Sequence, residues 1–315
     1  MSADHHHRGR FRNPHNRDPH SGAGLLRFLG QWARSRPSGG PPVPTRPDLA
    51  FITGNRSVRT ATWIGHSTYL IQLDGLNILT DPHLSPRASP VQWAGPERLL
   101  PPALSHEQIP PIDVVLISHN HYDHLDAATV QWLAVAHSPV FIAPLGNAPL
   151  LRSLGAQRVE ELDWWGVHRR GGLTVRLVPA QHFSGRGLGD RNATLWGGFV
   201  FEADGAKVFF AGDTGYSPDF AEVGRRLGPI DLSLIPIGAY DPRDFMRPMH
   251  IDPEEAVQIH LDVRSRRSLA MHWGTFRLTL EPLDEPPVRL AAACTAAGLP
   301  DGAFQVPAPG ETLGW

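Results

Sequence analysis

Apolar positions along this 315-residue chain gather into short runs, and several of the runs end on the same kind of polar residue. Leu76–Thr80 leads into Asp81, Val114–Ile117 into Ser118-His119, and Val175–Pro179 into Gln181-His182. Lys207–Ala211 leads into Gly212-Asp213-Thr214-Gly215, and Ser268–Met271 into His272-Trp273-Gly274. Short apolar runs of this length predict buried strands. Helical spacing predicts helices over Asp126–Ala136 and Asp252–His260, the second with Pro253 near its start and Ala256, Ile259 and His260 in helical register. Strands thus alternate with modest helices. The chain is long enough for a substantial core in one large domain, and no internal linker or repeat divides it.

The first 46 residues differ in character. They hold eight Arg (8, 10, 12, 17, 27, 34, 36 and 46) against Asp4 and Asp18, together with five His. We expect residues 1–48 to be a partly ordered Arg/Pro-rich extension, with His5, His6 and His7 in a surface tract, and residues 49–315 to be the folded domain. Within the extension, Leu25, Leu29 and Trp32 fall on one helical face, flanked by Leu26, before Pro37-Ser38-Gly39-Gly40-Pro41-Pro42 interrupts any helix. Such a helix can dock on the parent domain or lie on a membrane surface. The apolar run is too short to span a bilayer. No basic leader with a long apolar stretch and a small-residue cleavage site is present, so no secretory signal is expected.

The chemistry is concentrated in Ser118-His119-Asn120-His121-Tyr122-Asp123-His124, directly after a predicted strand. Three imidazoles and a carboxylate within six residues are costly as packing and well suited to a borderline metal such as zinc. One loop rarely folds back enough to place all four around a single ion. Two neighbouring ions sharing the loop relieve that problem, and distant ligands must then complete both sites. His182, Asp213 and His272, each just past an apolar run, are the candidates. In a sheet, such strand ends can converge on one rim.

Taken together, these segments resemble the metallo-β-lactamase-fold hydrolases, and within them the N-acylphosphatidylethanolamine-hydrolysing phospholipase D group. The likeness rests on Trp63-Ile64-Gly65-His66-Ser67-Thr68, Leu79-Thr80-Asp81-Pro82, the His cluster, and Glu161-Leu162-Asp163-Trp164-Trp165. It continues through Pro179-Ala180-Gln181-His182, Phe209–Tyr216, Ile235–Tyr240, His250–Ala256 and His272-Trp273-Gly274-Thr275-Phe276. The resemblance implies an α+β fold, a four-layer αββα sandwich of two mixed sheets with helices outside. It implies two zinc ions per chain. His119, His121 and His182 would hold one, Asp123, His124 and His272 the other, and Asp213 would bridge them. Hydroxide held by the ions would then attack phosphorus, cleaving N-acylphosphatidylethanolamine to N-acylethanolamine and phosphatidic acid.

Other residues are read individually. Asp81 is expected to orient a ligand histidine or the loop from behind. His66 could face substrate or stabilise a loop, and Tyr122 could line the phosphate path. Tyr240 and His250 could border the cleft. A lactone or another carboxylic ester is an alternative substrate, because the Gly- and Arg-rich stretch between Gln181 and Trp196 departs from the animal enzymes and follows a ligand. A non-catalytic zinc protein is a third reading, although closed structural sites use four ligands per ion and seven candidates for two ions leave room for water. The net charge of −2 argues against a dedicated nucleic-acid binder. The expected partner is a phospholipid or other phosphodiester, with peripheral membrane contact and a homodimer both left open. Cys294 is the only cysteine, which excludes an intrachain disulfide and fits a cytoplasmic protein, at most peripheral on the inner membrane surface. Its Ala-rich surroundings predict a small buried hydrophobe in a helix.

Overall fold

The computed structural model describes residues 5–15, 22–36 and 38–315. Elements are numbered in chain order. One seven-stranded sheet runs, in spatial order, β16 (Thr312–Gly314), β3 (Thr60–Gly65), β4 (Thr68–Leu73), β5 (Leu76–Thr80), β6 (Val114–Leu116), β7 (Val140–Pro144) and β8 (Arg158–Leu162). The other runs β15 (Phe304–Gln305), β14 (Ser265–Met271), β13 (Ile230–Pro236), β12 (Ala206–Phe210), β11 (Gly198–Ala203), β10 (Leu173–Val178) and β9 (Val167–Arg170). Both are mixed. In the first, β5 to β8 pair in parallel and β16 to β5 antiparallel. In the second, β12 to β15 are parallel and β9 to β12 antiparallel.

Alternation along the strands builds the layers. Tyr69, Ile71 and Leu73 of β4 face the second sheet, where they share a core with Val175, Leu177, Phe199, Phe201, Val208 and Phe210. Leu70 faces the other way. It joins Ile52 of α2 (Leu49–Gly54), Val130 and Leu133 of α3 (Ala127–Ala136), and Leu151 of α4 (Ala148–Ser153). On the far side, α5 (Asp219–Leu227), α7 (Pro253–Asp262) and α8 (Glu285–Ala296) cover the second sheet with Phe220, Val223, Ile259 and Leu290. The architecture is therefore the αββα sandwich that the resemblance implied. A buried hydrogen bond from Tyr69 Oη to the Ala270 carbonyl (2.7 Å) ties the two sheets together two residues before His272.

The expected helices form, with shifted ends. Asp126 caps α3 by accepting from Ala128 N, and Asp252 caps α7 by accepting from Glu255 N. Cys294 lies on α8 but is only partly buried, because the outer face of that helix meets solvent.

The described N-terminal residues lie against the domain. A two-strand hairpin, β1 (His6–His7) with β2 (Arg10–Phe11), is followed by α1 (Gly22–Arg34). His5 and His6 are engaged by Asp163 and so do not form a free surface tract. In α1 the docked row is Phe28 with Trp32, which pack near Phe245 and Met246 of the short α6 (Arg243–Met246). Leu25, Leu26 and Leu29 stay exposed at 46%, 73% and 47%. The sequence placed Leu25, Leu29 and Trp32 on the seam. Phe28 lies within the same broad apolar face, and docking selects its i, i+4 row with Trp32. Asp4, Arg17, Asp18, His20 and Pro37 fall outside the described residues. No helix among the described residues is long and apolar enough to cross a membrane.

Candidate metal centre

Strand direction brings the ligand-type residues together. β3, β5 and β6 of one sheet run the same way, as do β10, β12 and β14 of the other. Their C-terminal ends deliver His66, Asp81, the 118–124 loop, His182, Asp213 and His272 to a common rim. Close approach demands glycine at one point. Gly212 has φ +62°, and a Cβ there would come within 2.7 Å of the Ser118 Cβ. His66 and His272 also occupy the left-handed region, at φ +53° and +61°. Such backbone persists only where its surroundings over-determine it, and it recurs at functional sites.

Two clusters result. His119, His121 and His182 each offer a ligand atom within 4.8 Å of the others, as do His66, Asp123, His124 and His272. His119 Nε2 lies 2.8 Å from His121 Nδ1, and His182 Nε2 lies 3.2 Å from that same atom. Asp213 stands between the clusters. Its Oδ2 is 3.1 Å from His124 Nε2, 3.1 Å from His272 Nε2 and 3.8 Å from His182 Nε2. The sequence-predicted ligands are thus all gathered in one place. His66 joins them, with Nε2 3.0 Å from Asp123 Oδ2. His250 also borders Asp213, at 3.9 Å.

Several of these atoms lack conventional partners. Asp213 Oδ1, His124 Nε2 and both ring nitrogens of His272 are buried without a hydrogen bond, the 3.1 Å approaches to Asp213 having the wrong angles for one. Buried polar atoms are costly to leave unpaired. A cation among them would engage Asp213, His124 Nε2 and His272 Nε2, so the donor set fits a divalent metal.

The electrostatics agree. Burial holds His119 and His182 well below the usual imidazole range and brings His121 and His250 to about 4. These rings are neutral, as ligands must be. Burial works against ionisation of Asp213, but the charge on His124 and His272 outweighs it and keeps the carboxyl well below its ordinary value. Conversely, burial would lower His124 and His272, and Asp213 overcomes it: His124 lies well above the usual range and His272 at about 9. Without metal, protons on these two rings stand where a cation would. At pH 7, loading the second cluster is therefore expected to release a proton from each. Apparent affinity should rise with pH at least to about 9, the value at which His272 gives up its proton unaided. Calorimetry in buffers of different protonation enthalpy reads this directly, and affinity independent of pH between 6 and 9 would contradict it.

A second layer fixes the ligands. Asp81 Oδ2 is 2.6 Å from His124 Nδ1, while Ser118 donates its N–H to Oδ1 (2.7 Å) and its hydroxyl to Oδ2 (2.5 Å). Ser118 Oγ also lies 2.9 Å from His119 Nδ1, and His182 Nδ1 lies 2.9 Å from the Met249 carbonyl. Ser118 was not singled out from sequence, although its place between strand and cluster is a usable signal. Tyr122 is engaged by Arg186. Its hydroxyl donates to the Arg186 carbonyl (3.0 Å), and the Arg186 guanidinium sits 3.9 Å from its ring centroid. Tyr240 is committed to Glu285, to which it donates at 2.8 Å.

Beside His182 opens a cleft of about 670 Å³. Phe183, Arg191, Asn192 and Met249 form one wall, and Arg8, Arg10, Phe11 and Arg12 of the hairpin form the other.

This fold and this rim of His and Asp define a metallo-hydrolase scaffold, and the family comparison agrees: a model of the β-lactamase superfamily domain matches residues 76–273. The chain belongs to that superfamily. It is 43% identical over 291 residues to an uncharacterized protein of Mycobacterium tuberculosis, covering 91% of this chain and 76% of that one. It is 40% identical over 241 residues to N-acyl-phosphatidylethanolamine-hydrolyzing phospholipase D 1 of Caenorhabditis elegans, covering 71% of this chain and 68% of the worm protein. Among solved structures, isothiocyanate hydrolase from Delia radicum gut bacteria superposes with a TM-score of 0.66 at 22% identity, covering 81% of this chain and 98% of that one. That likeness bears on the fold alone.

Proposed function

We propose that the chain is a binuclear zinc phosphodiesterase of the phospholipase D type, acting on N-acylphosphatidylethanolamine. One observation carries the reading: two ligand clusters meet at Asp213 beside a cleft walled by arginines. The 40% identity to the worm enzyme supports the substrate. His119, His121 and His182 would hold one ion, Asp123, His124 and His272 the other, and Asp213 would serve both. When bound, the ions supply Lewis acidity to a phosphoryl oxygen and lower the pKa of water towards neutrality.

The chain's own residues do the positioning. Asp81 fixes the His124 ring, and His66 holds Asp123 in the orientation its ligand role needs. Guanidinium groups on the cleft wall suit the paired oxygens of a phosphate. Partly buried, neutral His250 adds a hydrogen-bonding group beside Asp213.

Zinc-loaded protein should be offered N-acylphosphatidylethanolamine, a simple phosphodiester and a lactone panel in parallel. The expected products are N-acylethanolamine and phosphatidic acid, with oxygen from labelled water in the phosphatidic acid. Turnover confined to lactones would sink the phosphodiesterase reading.

The same reading places the protein in the cytoplasm, with α1 touching the membrane that carries its substrate. Exposed Leu25, Leu26 and Leu29 are the contact. Replacing all three with Ser should lower activity on vesicles about tenfold or more, since burying even one leucine side chain contributes ~1.5–3 kcal/mol. Activity on a soluble phosphodiester should stay unchanged, because the docked row is Phe28 and Trp32. Equal losses on both substrates would remove the membrane role.

A further inference from the structure

The N-terminal hairpin bridges two parts of the molecule. At one end it reaches the loop that follows His182: Phe11 N donates to the Asn192 carbonyl (2.9 Å), Arg10 Nη2 to the Gly189 carbonyl (2.9 Å), and Asn13 Nδ2 to the carbonyl of His182 itself (2.7 Å). At the other end it meets the turn after β8. There His5 Nε2 lies 2.6 Å from Asp163 Oδ1, and His6 Nε2 lies 2.9 Å from Oδ2. Neighbouring side chains on a strand point to opposite faces. These two converge because His5 sits in the turn ahead of β1.

The convergence exceeds what a carboxylate needs. Asp163 Oδ1 already accepts the N–H of Trp164 at 2.8 Å. The His5 ring is nearly buried and stacks on Trp164 with centroids 4.3 Å apart, so its position is fixed by packing. One ligand atom from each of His5, His6 and Asp163 lies within 4.8 Å of the other two, and none of the three belongs to the central clusters. Two imidazoles and a carboxylate are ligands for zinc and its first-row neighbours.

We propose that His5, His6 and Asp163 form a separate divalent-metal site, for zinc or a similar borderline ion, which staples the hairpin to the domain and so holds the arginine-bearing wall of the cleft. Solvent completes the coordination, because His6 is half exposed. A site with three protein ligands and one open position binds more weakly and more reversibly than a closed structural site. The strap therefore responds reversibly to free metal.

The test uses the full chain with its central sites loaded, dialysed against increasing zinc chloride. Wild type should hold one metal equivalent more than the His5→Ala/His6→Ala double variant. Because the readout is a difference, it stands whatever the central sites contain and whichever substrate is cleaved. Equal metal contents overturn the site. His7→Ala, outside the triad, should keep the extra equivalent, and its loss there overturns the assignment. Trypsin cutting at Arg8, Arg10 and Arg12 reports the strap. Zinc at ten times its Kd should slow cleavage of wild type by about tenfold, as linkage to a local opening requires. It should leave the double variant's cleavage rate unchanged. Extra zinc without added protection overturns the strap.

Discussion

Asp213→Asn is expected to lower kcat by at least ~100-fold while leaving the fold intact, the scale seen when a strong transition-state contact or metal-activated water is lost. Asp213 stands between the two clusters, at 3.1 Å from His124 and His272 and 3.8 Å from His182. An amide there is nearly isosteric, so packing survives. It lacks the negative charge that holds His124 and His272 in their charged forms without metal and that would serve two cations with it. Circular dichroism should change little. Metal content should fall, or the two ions should lose their common ligand. Near-wild-type turnover with two central ions retained would refute the role.

Asp81→Ala should damage both stability and metal binding. The carboxylate is fully buried and serves Ser118 N, Ser118 Oγ and His124 Nδ1 at once. Truncation strands all three, and breaking a buried pair in this way costs about 3–5 kcal/mol. With His124 no longer oriented, affinity for zinc should drop roughly 10–100-fold. Asp81→Asn separates the two effects. It keeps an acceptor for Ser118, so the stability loss shrinks, but it removes the charge that supports His124, so affinity still falls. A denaturant melt and a competition titration with a coloured chelator measure the two quantities. Wild-type zinc affinity in Asp81→Ala would show that His124 needs no such support.

Much of this was legible in the sequence. Apolar runs marked the strands because both sheets of a sandwich carry a buried inner face and, under the helices, a buried outer one; β3 and β4 are buried at every position. The ligand residues were legible for a related reason. Each lies in the short segment just past a strand, and a strand end limits where the next side chains go. His119, His121, His124, His182, Asp213 and His272 could therefore be named before any coordinates.

The sequence did not reveal which contacts those residues would make. By sequence His66 could face substrate or stabilise a loop, and only the packing of β3 against the 272–276 segment, through the 2.7 Å bond from His66 N to Thr275 Oγ1, sets it beside Asp123. Tyr122 sits within the metal loop by sequence, and only the tertiary structure sets Arg186 against its ring and hydroxyl. Leu25 and Leu29 share a helical face with Phe28, and only the position of Phe245 and Met246 decides which row is covered. His5 and His6 read as a solvated tract until Asp163, 157 residues away from His6, was placed beside them. Local pattern determined the strands and the ligand inventory, because periodicity and strand-end placement are properties of neighbouring residues, and the sandwich followed from the family resemblance. Tertiary structure decided the pairing of His66 with Asp123, the orientation of Tyr122, the exposed leucines and the hairpin's anchor, because each depends on a partner distant in the chain that no local pattern encodes.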